Sequence, residues 1–206
     1  MIEQCSPEWL RQRAGKFTGS KFADLMARNK KTGAPLKAYE DLIWQVAVER
    51  LSGEPIEGPE GYALKWGKDV EPYARQAYEL KTGAFVEECE FIQHPDYPFA
   101  GASLDGAIGS DGMLEMKCPK SSIIHLQRFI DGVPEEYIPQ IQGGMWVTGR
   151  QWCDFVSYDP RMPESHRLLI IRVERDQAFI DRLQAAVIEA NAAAETLIQT
   201  LQRKAA

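Results

Sequence analysis

The sequence predicts an α/β protein in which a central mixed β-sheet is flanked by helices. Three observations carry this. Apolar residues recur at the helical period near both ends of the chain. Strand-like segments fill the middle, two of them joined by the tight-turn run Gly109-Ser110-Asp111-Gly112. Two further helical segments then separate these from another strand pair, an arrangement that one sheet with helices packed on it explains. No repeat and no Pro/Gly/Ser linker divides the 206 residues, so one domain spanning 1–206 is expected.

Taken in order, Ser6 and Pro7 suit the cap and first turn of a short helix, SPEWLRQR. A second helix follows Thr18-Gly19-Ser20 and runs through KFADLMAR. Residues 29–37 are polar and rich in breakers, hence a loop. Leu42, Val46 and Leu51 mark a helix over 38–52, closed by Ser52-Gly53. The next helix covers 61–81, with Ala63, Trp66, Gly67, Val70, Ala74, Ala77 and Tyr78 on its apolar stripe. Glu71 falls on that same stripe, where a carboxylate is costly unless compensated, and Pro72 beside it removes a backbone donor.

From residue 84 the period changes. FVEECEFIQ, FAGASLDGAIG and GMLEMKCP read as three consecutive antiparallel strands, although the first alternates imperfectly. Helices follow over 121–131 and 135–148, the second containing Gly143-Gly144, which points to close approach of another backbone. QWCDFVSYD and HRLLIIRVE are two more strands. Residues 176–204 keep Phe179, Ile180, Leu183, Val187, Ala190, Ala194, Leu197 and Leu201 on one side of a long amphipathic helix.

Composition narrows the function. A hydrophobic fraction of 44% supplies a core and excludes a disordered chain. No apolar run approaches the roughly 18 residues of a membrane span, and the start, MIEQCSPEWLRQR, lacks a secretory profile, so a cytoplasmic protein with no membrane partner is expected. The four cysteines form no CxxC pair, which argues against a zinc ribbon and a disulfide framework. His94, His125 and His166 are scattered and read as structural or surface residues. The net charge is −6, yet residues 1–37 carry eight bases against three acids. Local potential decides where a polyanion docks, so this basic third keeps nucleic acid open as a partner.

The chemistry concentrates on the central hairpin. In a strand, positions i and i+2 face the same way, so Glu115 and Lys117 project together and Met116 points opposite. The Gly-rich turn folds Asp105 back beside Glu115, which puts two carboxylates and an ammonium on one patch. Like charges that close raise each other's pKa unless a cation sits between them. Hard oxygen ligands without His or Cys favour Mg²⁺ or Mn²⁺ over zinc. Lys117 could then orient a metal-bound water or offset charge on a phosphoryl oxygen, and Glu71 offers a third carboxylate.

The run SLDG…LEMKCP resembles the D…ExK signature of the PD-(D/E)XK nuclease superfamily. More specifically, the chain resembles the lambda exonuclease-like alkaline exonucleases of phage two-component recombination systems. RAGKFTGS, KWGKDVE, ASLDG, LEMKCP, YIPQIQGGMWVTG and YDPRM carry the resemblance, in that order along most of the chain. It implies a restriction-endonuclease-like core and a catalytic Lys117. Asp105, Glu115 and the backbone carbonyl of Met116 would be the metal ligands, and Glu71 would help hold a second Mg²⁺ or its water. It further implies a 5′-phosphate pocket formed by Arg13, Ser20 and Ser103, with Tyr137 and Gln140 supporting the site. The implied reaction is Mg²⁺-dependent, processive 5′→3′ degradation of one strand of linear double-stranded DNA. It releases 5′-mononucleotides and leaves 3′ single strands for recombination. A ring-shaped homotrimer and a single-strand annealing protein as partner are implied as well. The sequence departs from the superfamily in having Leu104 where a proline usually precedes the metal-binding Asp. Two alternatives stay open: an endonuclease of the same fold, and a non-catalytic DNA-end-binding protein.

Overall fold

The computed structural model describes residues 6–29, 31–56 and 62–205. Residue 61, the expected start of the fourth helix, and the side chain of Ala63 lie outside what is described, as do Lys30, Glu3 and Cys5. Helices α1 (Pro7–Arg13), α2 (Phe22–Met26), α3 (Lys37–Ser52) and α4 (Tyr62–Thr82) come first, with β1 (Phe17–Thr18) between α1 and α2. The middle holds β2 (Ile92–Gln93), β3 (Ala100–Ala102), β4 (Gly106–Ile108) and β5 (Gly112–Lys117). Then follow α5 (Ser122–Asp131), α6 (Ile138–Thr148), β6 (Trp152–Tyr158), α7 (Glu164–Arg167), β7 (Leu168–Glu174) and α8 (Gln177–Ala205). The caps behave as the sequence predicts: the Trp9 N–H donates to Ser6 Oγ at 3.2 Å, and Gly53 closes α3 at φ 73°.

The strands form two sheets rather than the single one expected. One has the order β1-β3-β2 and the other β4-β5-β6-β7. The break falls at Ser103-Leu104-Asp105, where Leu104 turns into the core at 1% exposure and Asp105 bends the chain. FAGASLDGAIG therefore supplies two strands, one to each sheet, and Asp105 sits just ahead of β4 instead of within a strand. Of the strand expected over FVEECEFIQ, only Ile92–Gln93 pairs continuously, and Glu87 makes an isolated bridge to Ala107. Its glutamates fall on successive and alternate positions, so no face of the segment is uniformly apolar.

β5 pairs antiparallel with β4 and parallel with β6, and is buried along nearly its whole length. Its Met113 joins a cluster with α2, α3, α6 and α8 residues such as Phe22, Val46, Ile141 and Leu183. Leu114 and Met116 join the other cluster, with Val70, Ala74 and Tyr78 of α4. Gly143 and Gly144 of α6 do permit a close approach, but by side chains and not by a backbone. A Cβ on Gly143 would stand 2.1 Å from Phe22 Cδ2, and one on Gly144 would stand 2.7 Å from Met113 Cε.

Candidate active site

Glu115 and Lys117 share the β5 face of Met113, as strand alternation requires. Glu115 is 1% exposed, and the Lys117 ammonium is ion-paired to its Oε1. Asp105 is tied to the same strand, because its Oδ2 accepts the Met116 backbone N–H at 2.6 Å. Beneath Lys117 lies Tyr137, whose ring centroid is 5.1 Å from the ammonium. Glu71 comes from α4, which packs on the opposite face of β5, and it lies within electrostatic reach of Asp105 and Lys117.

These carboxylates perturb one another. Burial and then the Asp105 charge push Glu115 up to about 7. The same two causes, in the same order, lift Glu71 to about 7. Burial also raises Asp105, against the pull of Lys117 and the Met116 N–H. For Lys117 burial works downward, and Glu115 with Asp105 outweighs it, so the ammonium stays charged. Among the described residues, no three His, Cys, Asp or Glu side chains are gathered tightly enough to form a ready-made cage. The donor set nevertheless fits a hard divalent cation: two carboxylates on one hairpin and a third from α4 repel each other, and a cation between them relieves that repulsion.

Of the group, Glu71 and Lys117 line a cleft of about 730 Å³, with Met116, Lys120, Arg128 and Tyr137 among the other lining residues. A second constellation lies where β3 ends. Arg13 donates to Ser103 Oγ and to Thr18 Oγ1, both at 2.9 Å, and its guanidinium stacks 4.1 Å from the Trp9 ring centroid. The structure thus brings Arg13 and Ser103 together. Ser20 lies exposed in the 3₁₀ turn Gly19–Lys21, and Gln140 packs its Cγ toward that turn, 3.7 Å from where a Gly19 Cβ would stand. Tyr137 ends the 3₁₀ turn Glu135–Tyr137, which leads straight into α6, where Gln140 lies.

Sequence reasoning missed several neighbours. Arg75, one turn after Glu71, donates to the Asp105 carbonyl at 3.0 Å and to Glu88 at 2.6 Å; its spacing of four from Glu71 was the available signal. Arg128 is 4% exposed, donates to Ser157 Oγ at 3.0 Å and lies over the Tyr137 ring; these contacts are long-range and leave no local pattern. Thr18 is the third.

Mixed sheets flanked by helices give the chain a PD-(D/E)XK fold. The YqaJ-like viral recombinase domain matches residues 8–151, and the chain belongs to that family. It is similar to the crystal structure of an alkaline exonuclease (LHK-Exo) from Laribacter hongkongensis, with 37% identity and a TM-score of 0.89 over 97% of this chain and 98% of that one. A phage related exonuclease from Haemophilus somnus 129PT shares the fold alone, at 16% identity and a TM-score of 0.69 over 90% of this chain and 96% of that one. Uncharacterized protein YqaJ of Bacillus subtilis (strain 168) is 29% identical over 191 residues, 91% of this chain and 56% of that protein. The chain thus spans about half the length of that curated relative. Among the described residues no helix is long and apolar enough to cross a membrane.

Proposed function

We propose that the protein is a metal-dependent exodeoxyribonuclease that degrades one strand of linear double-stranded DNA from 5′-phosphorylated ends, 5′→3′ and processively. It releases 5′-mononucleotides and leaves 3′ single strands for an annealing protein to use in recombination, with the chain acting as a ring-shaped homotrimer. The observation that supports this reading best is the spacing of the two constellations. Ser103, bonded to Arg13, lies only two residues from Asp105, so an anion pocket and the carboxylate group share one short segment.

Asp105, Glu115 and the Met116 carbonyl would hold Mg²⁺ or Mn²⁺, and Glu71 would help hold a second ion or its water. When bound, such ions polarise the scissile phosphoryl group and lower the pKa of water. Lys117, fixed by Glu115 and Tyr137, positions the attacking water and offsets charge growing on the phosphoryl oxygens. Arg13 and Ser103 bind the terminal 5′-phosphate, a planar guanidinium being matched to phosphate oxygens, with Ser20 at the rim of the pocket. Tyr137 and Gln140 hold the two parts in place.

The experiment is digestion of linear duplex DNA with Mg²⁺, comparing 5′-phosphate with 5′-hydroxyl ends and including Lys117→Ala. Progressive loss from the 5′ end, faster on phosphorylated ends and absent in the variant, is expected. Cleavage of closed circles would move the protein to the endonuclease reading. No hydrolysis by the unaltered protein would leave an end-binding protein.

A further inference from the structure

The YDPRM run has no place in the site described so far, yet its side chains reach both walls of the cleft. Asp159 is fully buried. It accepts from Arg161 N at 3.0 Å, from Arg161 Nε and Nη2 at 2.8 Å each, and from Ser122 Oγ at 2.7 Å. Arg161 continues outward. Its Nη2 donates to the Lys120 carbonyl at 2.7 Å, and its guanidinium lies 4.6 Å from the Trp66 ring centroid. Lys120 belongs to the wall that follows β5, and Ser122 opens α5, which carries Arg128. Trp66 directly precedes Gly67 and Lys68 of the opposite wall, on the helix that bears Glu71.

We propose that Asp159 and Arg161 are positioning residues that fix the separation between α4 and the Lys117–Ser122 segment, and through it the cation affinity of the carboxylate group. The inference rests on the proposed function. Its physical basis is that Glu71 stands on α4 and the other carboxylates on the β4–β5 hairpin, close enough to raise one another's pKa. A cation must bridge them, so its affinity depends on how those elements are spaced. One guanidinium spans the two walls, with a fork of donors on one side and a flat face on the other. Burial raises the Asp159 pKa, but the Arg161 and Ser122 donors outweigh it and hold the carboxyl at about 2, so the clamp stays charged throughout the working pH range.

The test uses the full chain with Arg161→Leu, Arg161→Lys and Asp159→Asn. Mn²⁺ binding without DNA is followed by titration calorimetry, and kcat and KM are measured on linear duplex with Mg²⁺. Arg161→Leu should weaken Mn²⁺ binding at least tenfold and lower kcat comparably, with KM for DNA within threefold. Arg161→Lys, which keeps a cation over Trp66, should recover part of both losses, and Asp159→Asn should resemble Arg161→Leu. Should Arg161→Leu fail to fold, Arg161→Lys carries the test, with an intermediate loss of Mn²⁺ affinity expected and an unchanged affinity overturning the clamp. A folded Arg161→Leu variant with unaltered Mn²⁺ affinity overturns it too. A rise in KM alone also overturns it, by making Arg161 a DNA contact. If the unaltered protein binds no Mn²⁺ and degrades no DNA, the proposed function fails and takes the clamp with it. If it does both and Arg161→Leu matches it, only the clamp fails.

Discussion

Met116 donates its backbone N–H to Asp105 Oδ2 at 2.6 Å, fastening a carboxylate that stands outside the sheet to the strand whose side chains flank it. Asparagine keeps an acceptor at that position and removes a charge from a group of three carboxylates. Asp105→Asn should therefore melt at or above the temperature of the unaltered protein at pH 8, while nuclease activity falls at least about 100-fold. Thermal melting and a duplex-digestion assay on the same preparation check both halves.

Stability without metal should fall as pH rises. Glu71 and Glu115 are raised from an ordinary 4.5 to about 7, so the folded protein binds protons that the unfolded chain has released. Their stabilising contribution is full below pH 4.5 and is lost as pH climbs through 7. Melting temperatures in a chelator should decline across that window, and Glu115→Gln should flatten the decline. Mg²⁺ should restore more stability at pH 8 than at pH 6, because at the lower pH it must displace protons. Its half-saturating concentration should rise by about tenfold per unit for each proton released below pH 7.

Lys117→Met removes the partner of a carboxylate that is almost wholly enclosed. Glu115 should then hold its proton at neutral pH, and activity should fall by a factor of about 10² or more at saturating Mg²⁺. The loss of melting temperature should be larger at pH 8 than at pH 6, since only at the higher pH is an unpaired charge left buried.

Arg13→Gln tests the anion pocket separately. The rate on 5′-phosphorylated ends should drop about tenfold or more, as expected for loss of a charge-assisted donor pair, and the rate on 5′-hydroxyl ends should change little. Equal losses on both ends would show that Arg13 serves the fold and not the end.

Gly143→Ala is a test of packing. Its Cβ would collide with Phe22 Cδ2 and Cε2 at 2.1 and 2.3 Å and press on Leu183 at 3.2 Å, so a destabilisation of about 1–3 kcal/mol is expected from denaturant melts.

The sequence made the helices legible because each repeats its pattern over several turns: α8 and α3 fall within a residue or so of where periodicity puts them. It also made the hairpin legible, since a Gly-rich turn and strand alternation together put Asp105, Glu115 and Lys117 in one place. It did not show that FAGASLDGAIG changes sheets, because a three-residue break leaves no period of its own. β1, two residues long, exists through its pairing with β3 and has no independent signal. Arg128 was hidden for the same reason, its partner Ser157 lying across the fold, while Thr18 meets Arg13, five residues away, from β1, a strand with no signal of its own. The family resemblance supplied Arg13 and Ser103 where local pattern could not.

The step from one sheet to the other takes only Ser103, Leu104 and Asp105, with Leu104 anchored in the core. From Ser103 to Asp105 an extended chain covers about 7 Å. Under the proposed function this stretch acts as a gauge. The grip on the terminal phosphate and the carboxylate beside the scissile bond are set apart by fixed backbone, so the length of each excised piece is a property of covalent geometry and not of loop dynamics. Inserting one glycine after Leu104 would therefore alter the product as well as the rate, and the length of the released fragment would report the setting of the gauge.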